Sequence, residues 1–232
     1  MSPRRLVLFD IDGTLLLCGG QAKPLFAAAM EAAFGTAGAI DSYDFSGRTD
    51  PQIVVDLALG AGIEPEAAMA GVPRVRDHYL ARLAGALRAE EMRLMPGVGE
   101  LVAALAASGE VALGLLTGNW ERGARIKLAP FDLNRYFPFG AFGDDQLHRR
   151  GLPPVAWREA ARHTARDFAP EETLIVGDSL LDIDCAHAHG ARVLAVATGW
   201  TSAAALRAAG ADWVVDDLAG ARDLAAATGG AF

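Results

Sequence analysis

Short apolar runs bounded by turn residues recur at 4–10, 111–116, 173–176, 192–196 and 213–215, and each predicts a buried strand. Between and after them apolar positions recur three and four apart, over 97–108, 120–128, 154–164, 182–189, 202–209 and 217–227, which predicts helices. Strand and helix thus alternate through the second half, as in a parallel sheet with helices packed against it. The stretch 16–94 breaks that rhythm. It reads as helical, most clearly at 24–34, 51–59 and 66–87, with no convincing strand. Gly19-Gly20 and Pro96-Gly97 bound it with hinge-like chemistry. Ligands of open parallel sheets bind outside the carboxyl ends of the strands. A helical module that leaves the chain just after the first strand would therefore close over that edge as a lid.

Composition narrows the picture without changing it. The 232 residues are 52% apolar and 22% charged, which describes a folded globular chain. A net charge of −8, from 21 Lys and Arg against 29 Asp and Glu, has the wrong sign for a nucleic-acid or anionic-membrane partner. Cys18 and Cys185 supply neither a disulfide framework nor a zinc set, which fits a reducing compartment, the cytoplasm by default. No run approaches a membrane span, and Asp10 and Asp12 interrupt the N-terminal apolar run too soon for a signal peptide.

Chemistry concentrates where the expected strands end. Asp10-Ile11-Asp12-Gly13-Thr14 sets two carboxylates two residues apart: one suits a nucleophile, the other a proton donor and acceptor, and a divalent cation would damp their repulsion. The same residues also suit an Asx-turn and a helix N-cap. Thr117-Gly118-Asn119 offers a hydroxyl and consecutive backbone amides at a helix start, suited to a phosphate oxygen or simply to capping. After the third strand, Gly177-Asp178 and Asp182 place two acids four apart, hard oxygen donors that suit Mg²⁺.

In that order, Asp10-x-Asp12-x-Thr14, then Thr117, then a basic residue, then Gly177-Asp178-x-x-x-Asp182, the chain resembles haloacid-dehalogenase-superfamily phosphohydrolases, specifically the phosphoglycolate-phosphatase-like group with an inserted helical cap. The resemblance covers nearly the whole chain. It implies a Rossmann-like, doubly wound α/β core of 1–15 and 95–232 and an α-helical cap of 16–94. It further implies Mg²⁺-dependent hydrolysis of a small phosphorylated metabolite, phosphoglycolate being the first guess, through an aspartyl-phosphate. Asp10 would be the nucleophile and Asp12 the general acid and base. Thr117, Gly118 and Asn119 would grip the phosphoryl group, and Asp10, Asp12 (by its backbone carbonyl) and Asp178 would hold the metal with Asp182 behind them. The superfamily's usual Lys before the last acidic motif has no counterpart, since Lys23 and Lys127 fall elsewhere. Arg149, favoured over Arg150, is expected to replace it. A phosphosugar mutase of the same superfamily and a non-catalytic phosphate-binding protein are the alternatives.

Within the cap, Phe45-Ser46-Gly47-Arg48-Thr49-Asp50-Pro51 resembles the segment that faces the site in such caps. Arg48 and Thr49 are its candidate substrate contacts, with Asp50 capping a helix that has Pro51 at its first position. Trp200 reads as packing at least as well as a pocket wall, and His187, His189 and Cys185 as helix-end or buried residues rather than ligands. The oligomeric state is not encoded in any of these features.

Overall fold

The computed structural model describes residues 3–144 and 146–219. In chain order it contains β1 (Arg5–Phe9), β2 (Leu16–Leu17), α1 (Ala22–Phe34), α2 (Asp50–Gly60), α3 (Pro65–Ala86), β3 (Arg93–Leu94), α4 (Val98–Ser108), β4 (Val111–Leu116), α5 (Glu121–Leu128) and β5 (Gly140–Ala141). These are followed by α6 (Leu152–Thr164), β6 (Thr173–Gly177), α7 (Leu180–His187), β7 (Arg192–Val196), α8 (Ala203–Ala208) and β8 (Trp213–Val215). Short 3₁₀ turns lie between several of them.

Six strands form one parallel sheet in the order β5-β4-β1-β6-β7-β8. Its centre is β1, whose Arg5-Leu-Val-Leu-Phe9 run is buried on both faces, as a continuous apolar strand requires. Leu6 and Leu8 turn toward α6, α7 and α8, while Val7 and Phe9 turn toward α4 and α5. Full burial of side chains of this size contributes about 1.5–3 kcal/mol each. The chain winds outward from β1 to β4 and β5, then returns to the other side of β1 for β6, β7 and β8. Phe9 is level with Leu115 on one side and Val176 on the other, so the residues leaving β1, β4 and β6 emerge together at one edge.

Helices α1, α2 and α3 enclose an apolar cluster of their own, built on Phe26, Met30, Val54, Leu57, Val75 and Leu83. Trp120, at the start of α5, belongs to this cluster and stacks on Phe26 with ring centroids 5.9 Å apart. One side chain from the sheet-bearing part thus inserts among the helices.

Three short strands depart from the sequence-based expectation. The stretch 16–94 does contain strand: β2 and β3, at its two ends, pair antiparallel through Leu16 opposite Leu94 and Leu17 opposite Arg93. Two-residue strands carry too little periodicity to read. The same brevity hid β5, whose Gly140 and Ala141 extend the edge of the sheet beside β4. The helix expected at 217–227 lies mostly outside the described residues, and 217–219 form a bend and turn.

Candidate active site

The three strand ends converge as register demands. Asp10 continues β1, its amide donating to Val176 O at 2.9 Å, and it is 5% exposed. Thr117 continues β4 and Asp178 continues β6, both buried. The Thr117 hydroxyl accepts from Asn119 Nδ2 at 2.9 Å and from the Asn119 amide at 3.4 Å, so the 117–119 turn is internally braced.

Two carboxylates leave β1, and each meets a different buried cation. Arg149 Nη2 is 3.3 Å from Asp10 Oδ2; the same guanidinium also ion-pairs with Asp182 and donates to Leu116 O and Gly47 O, both at 3.1 Å. Burial disfavours its charge, but Asp10 and Asp182 outweigh that and push its pKa above the ordinary arginine range. Arg150 points outward and pairs with Asp184. The structure therefore brings Arg149, and not Arg150, to Asp10.

The partner of Asp12 was missed from the sequence. Lys127 Nζ donates to Asp12 Oδ2 and to Asn119 Oδ1, each at 2.6 Å, and Asn119 Nδ2 adds a 2.8 Å bond to the same Asp12 oxygen. Burial opposes the ammonium, yet Asp12 and its neighbours hold its pKa well above the usual lysine value. A signal for it existed: Lys127 shares with Ala124 and Leu128 the three- and four-residue spacing of the buried stripe of α5. A lysine on an apolar stripe calls for an acidic partner.

The carboxylates of Asp10, Asp178 and Asp182 each bring one oxygen within 4.8 Å of the others, a group able to hold a metal ion. Burial pushes Asp178 up to about 8, and the charges of Asp10 and Asp182 push the same way. Asp10 is pushed up to about 6, burial outweighing Arg149. Crowded, buried, all-oxygen donors of this kind fit a hard divalent cation, whose charge would relieve their desolvation and repulsion. Availability differs among the three. Asp182 already accepts from the Ser179 amide and hydroxyl at 3.0 and 2.6 Å and pairs with Arg149, whereas Asp178 accepts only the Thr14 hydroxyl, at 3.0 Å, among the described residues. Space around Asp178 is also reserved: a Cβ at Gly199 would lie 1.7 Å from its Oδ2.

The 45–51 segment docks on the strand ends. Asp50 N donates to Gly118 O at 2.7 Å, and a Cβ on Gly118 would come within 2.0 Å of Arg48 O, so only glycine admits this approach. Here two expectations need correction. Thr49, not Asp50, caps α2: its hydroxyl accepts the Gln52 amide at 3.2 Å and donates to Leu147 O, and Thr49 does not line the cavity. Its hydroxyl is committed to holding the segment, so it is not a substrate contact. Asp50 instead reaches across to accept the Trp120 amide at 2.8 Å, and burial pushes its pKa up to about 7. Arg48 does line the cavity, but Asp44 at 3.8 Å, Asp56 at 3.7 Å and the Tyr43 ring hold its head. Trp200 is 70% exposed at the cavity rim rather than packed in a core.

These groups face a cavity of about 470 Å³ between the strand ends and the helices, with Asp10, Asp12, Thr117, Gly118, Asn119, Lys127 and Arg149 on the strand side. A family model described as HAD-hydrolase-like matches residues 149–221. The phosphoglycolate phosphatase of Salmonella typhimurium is 28% identical over 92% of this chain and 89% of its own length. That of Escherichia coli is 27% identical over 84% and 82%. Among solved structures, a predicted phosphatase from Clostridium acetobutylicum superimposes with a TM-score of 0.72 over 97% of this chain and all of its own, at 20% identity. CbbY from Rhodobacter sphaeroides in complex with phosphate gives 0.69 over 94% and 96%, also at 20%; at this identity both speak for the fold alone. The family match and the curated relatives together support a phosphatase of the haloacid-dehalogenase superfamily. The chain is a phosphatase, similar over most of its length to phosphoglycolate phosphatases.

Proposed function

We propose that the protein is a Mg²⁺-dependent phosphomonoesterase that works through an aspartyl-phosphate at Asp10, with 16–94 acting as a cap over a core of 1–15 and 95–232. The observation that carries this reading is the pairing of both acids leaving β1: Asp10 beside Arg149 at 3.3 Å, and Asp12 beside Lys127 at 2.6 Å. An Asp10 carboxylate oxygen attacks phosphorus, the bond from phosphorus to the ester oxygen breaks, and Asp12 gives that oxygen a proton. Asp12 then takes a proton from the water that attacks the phosphoryl group, which leaves as inorganic phosphate and restores Asp10. Lys127 and Asn119 both engage Asp12 Oδ2, which leaves Oδ1 for these transfers.

Charge development on the phosphoryl oxygens is met by Arg149, the Thr117 hydroxyl and the amides of Gly118 and Asn119. Asp10, Asp178 and the backbone carbonyl of Asp12 would hold Mg²⁺, which supplies charge neutralisation to the phosphoryl group. Asp182 fixes Arg149 from behind. The partner is a small phosphorylated metabolite, and two buried free cysteines fit a cytoplasmic setting. No helix among the described residues is long and apolar enough to cross a membrane.

The experiment is release of phosphate from a panel of phosphate esters, phosphoglycolate first, since its relatives carry that substrate in their names. Mg²⁺ should support turnover and EDTA should abolish it. Full activity in metal-free protein would overturn the metal assignment, and failure on every ester would overturn the activity.

A further inference from the structure

The wall of the cavity opposite Asp10 is aromatic. Phe26, Tyr43, Phe45 and Tyr79 line it in one connected set: Phe26 meets Phe45 edge-on at 6.1 Å and Tyr79 at 5.3 Å, and Tyr43 meets Phe45 edge-on at 5.4 Å. Trp120 backs Phe26 by stacking, which fixes the ring that anchors the set. Leu17 and Ile53 continue the apolar surface. Rings held edge-to-face by one another form a rigid surface that needs no reorganisation to receive another ring.

The cations of the same wall all stand near carboxylates. Every cation lining the cavity has a carboxylate within 3.8 Å: Lys23 has Asp41, Arg48 has Asp44 and Asp56, Lys127 has Asp12 and Arg149 has Asp10. Lys23 also sits over the Phe45 ring at the exposed rim. Asp44 and Asp50 themselves line the cavity, so an anionic leaving group would enter beside acids. Arg48 Nε makes no hydrogen bond but faces Asp56 Oδ2 at 3.7 Å, so the guanidinium is turned to its own acid. A cavity of about 470 Å³ falls within the ~300–1,000 Å³ range of sites that enclose drug-sized ligands, far more room than a two-carbon acid needs.

From this wall and this charge balance we infer that the preferred substrate is the phosphate monoester of an uncharged alcohol that carries an aromatic ring, rather than phosphoglycolate. The inference rests on the phosphatase reading above. The ring would lie against Tyr43 and Phe45, the two half-buried rings of the set, with buried Phe26 and Tyr79 packed behind them.

The test compares kcat/KM for 2-phenylethyl phosphate, ethyl phosphate and phosphoglycolate with Mg²⁺. All three leave through an aliphatic oxygen, so the comparison reads the ring and the carboxylate. The phenylethyl ester should lead by about 10-fold to 100-fold, the gain expected for moving one ring out of water. Phe45→Ala should shrink the ratio of phenylethyl to ethyl ester, while a thermal melt reports that the variant is folded. Calorimetric binding of 3-phenylpropylphosphonate and 3-phosphonopropionate, which cannot be hydrolysed, supplies a readout independent of catalysis. Preference for phosphoglycolate, or tighter binding of 3-phosphonopropionate, would overturn the substrate class and leave the phosphatase reading standing. If no ester is hydrolysed, the phosphatase reading fails and the phosphonate pair still decides which ligand the wall accepts.

Discussion

The two sides of one cavity are built on opposite principles. On the strand side, charged and polar groups are packed at high density, and the acids and phosphate-side donors are fixed by short chain distances from a strand end: Asp10 and Asp12 from β1, Thr117 and Asn119 from β4, Asp178 and Asp182 from β6. On the helical side, the groups that matter are aromatic, come from α1, α3 and the 43–45 loop, and are held by one another. On the reading proposed above, reaction chemistry belongs to one side and choice of leaving group to the other.

The largest effect should come from removing the cation that serves the strand side. Arg149→Ala strips Asp10 and Asp182 of their buried partner, and kcat should fall about 10²–10³-fold. Leaving two buried carboxylates unpaired should also cost about 3–5 kcal/mol of stability, read as a lower melting temperature. Arg149→Lys should recover part of both losses, and Arg150→Ala should change neither, because Arg150 pairs outward with Asp184. Equal losses at Arg149 and Arg150 would erase the distinction between the two.

Lys127→Met tests whether the second cation positions Asp12. Turnover should drop about 10²-fold, the cost of a proton-transfer group misplaced by roughly 1 Å, with KM little altered. Lys127→Arg should restore some of it. An unchanged kcat in the Met variant would make the contact merely structural.

A smaller effect belongs to Asp50, where the two sides meet. Its folded pKa of about 7 lies above the unfolded value of 3.8, so the folded state binds the proton more tightly. The stability this supplies is complete below the unfolded value and is lost as pH rises through about 7. Thermal melts from pH 4 to 8 should therefore show a falling component in the wild type that Asp50→Asn removes, since Asn can still accept the Trp120 amide. Identical pH slopes in the two proteins would contradict the assignment.

Legibility in the sequence divides along the same line as the cavity. The strands at the centre of the sheet and the acids that follow them were readable, because an apolar run ending in a turn motif is a local signal. Arg149 stood out only by the lack of a Lys in its place, and burial distinguishes it from its neighbour. What stayed hidden is non-local. Lys127 meets Asp12 across 115 positions, and Asp50 reaches the Trp120 amide across 70. Asp50 was misread as a cap because Thr49-Asp50-Pro51 offers two capping residues in a row, and local chemistry does not choose between them. The aromatic wall is the extreme case: Phe26, Tyr43, Phe45 and Tyr79 carry no shared local pattern, and only the fold makes them one surface.

The central claim is that Asp10 carries the phosphoryl group between the two half-reactions. It is tested by quenching an Asp12→Ala variant in acid during turnover of a hydrolysable ester, then mapping the modified peptide by mass spectrometry. The account predicts one phosphoryl group on Asp10, absent from the Asp10→Asn, Asp12→Ala double variant and discharged by hydroxylamine. Phosphate released by the wild type with no acyl-phosphate on Asp10 in the slowed variant would contradict it.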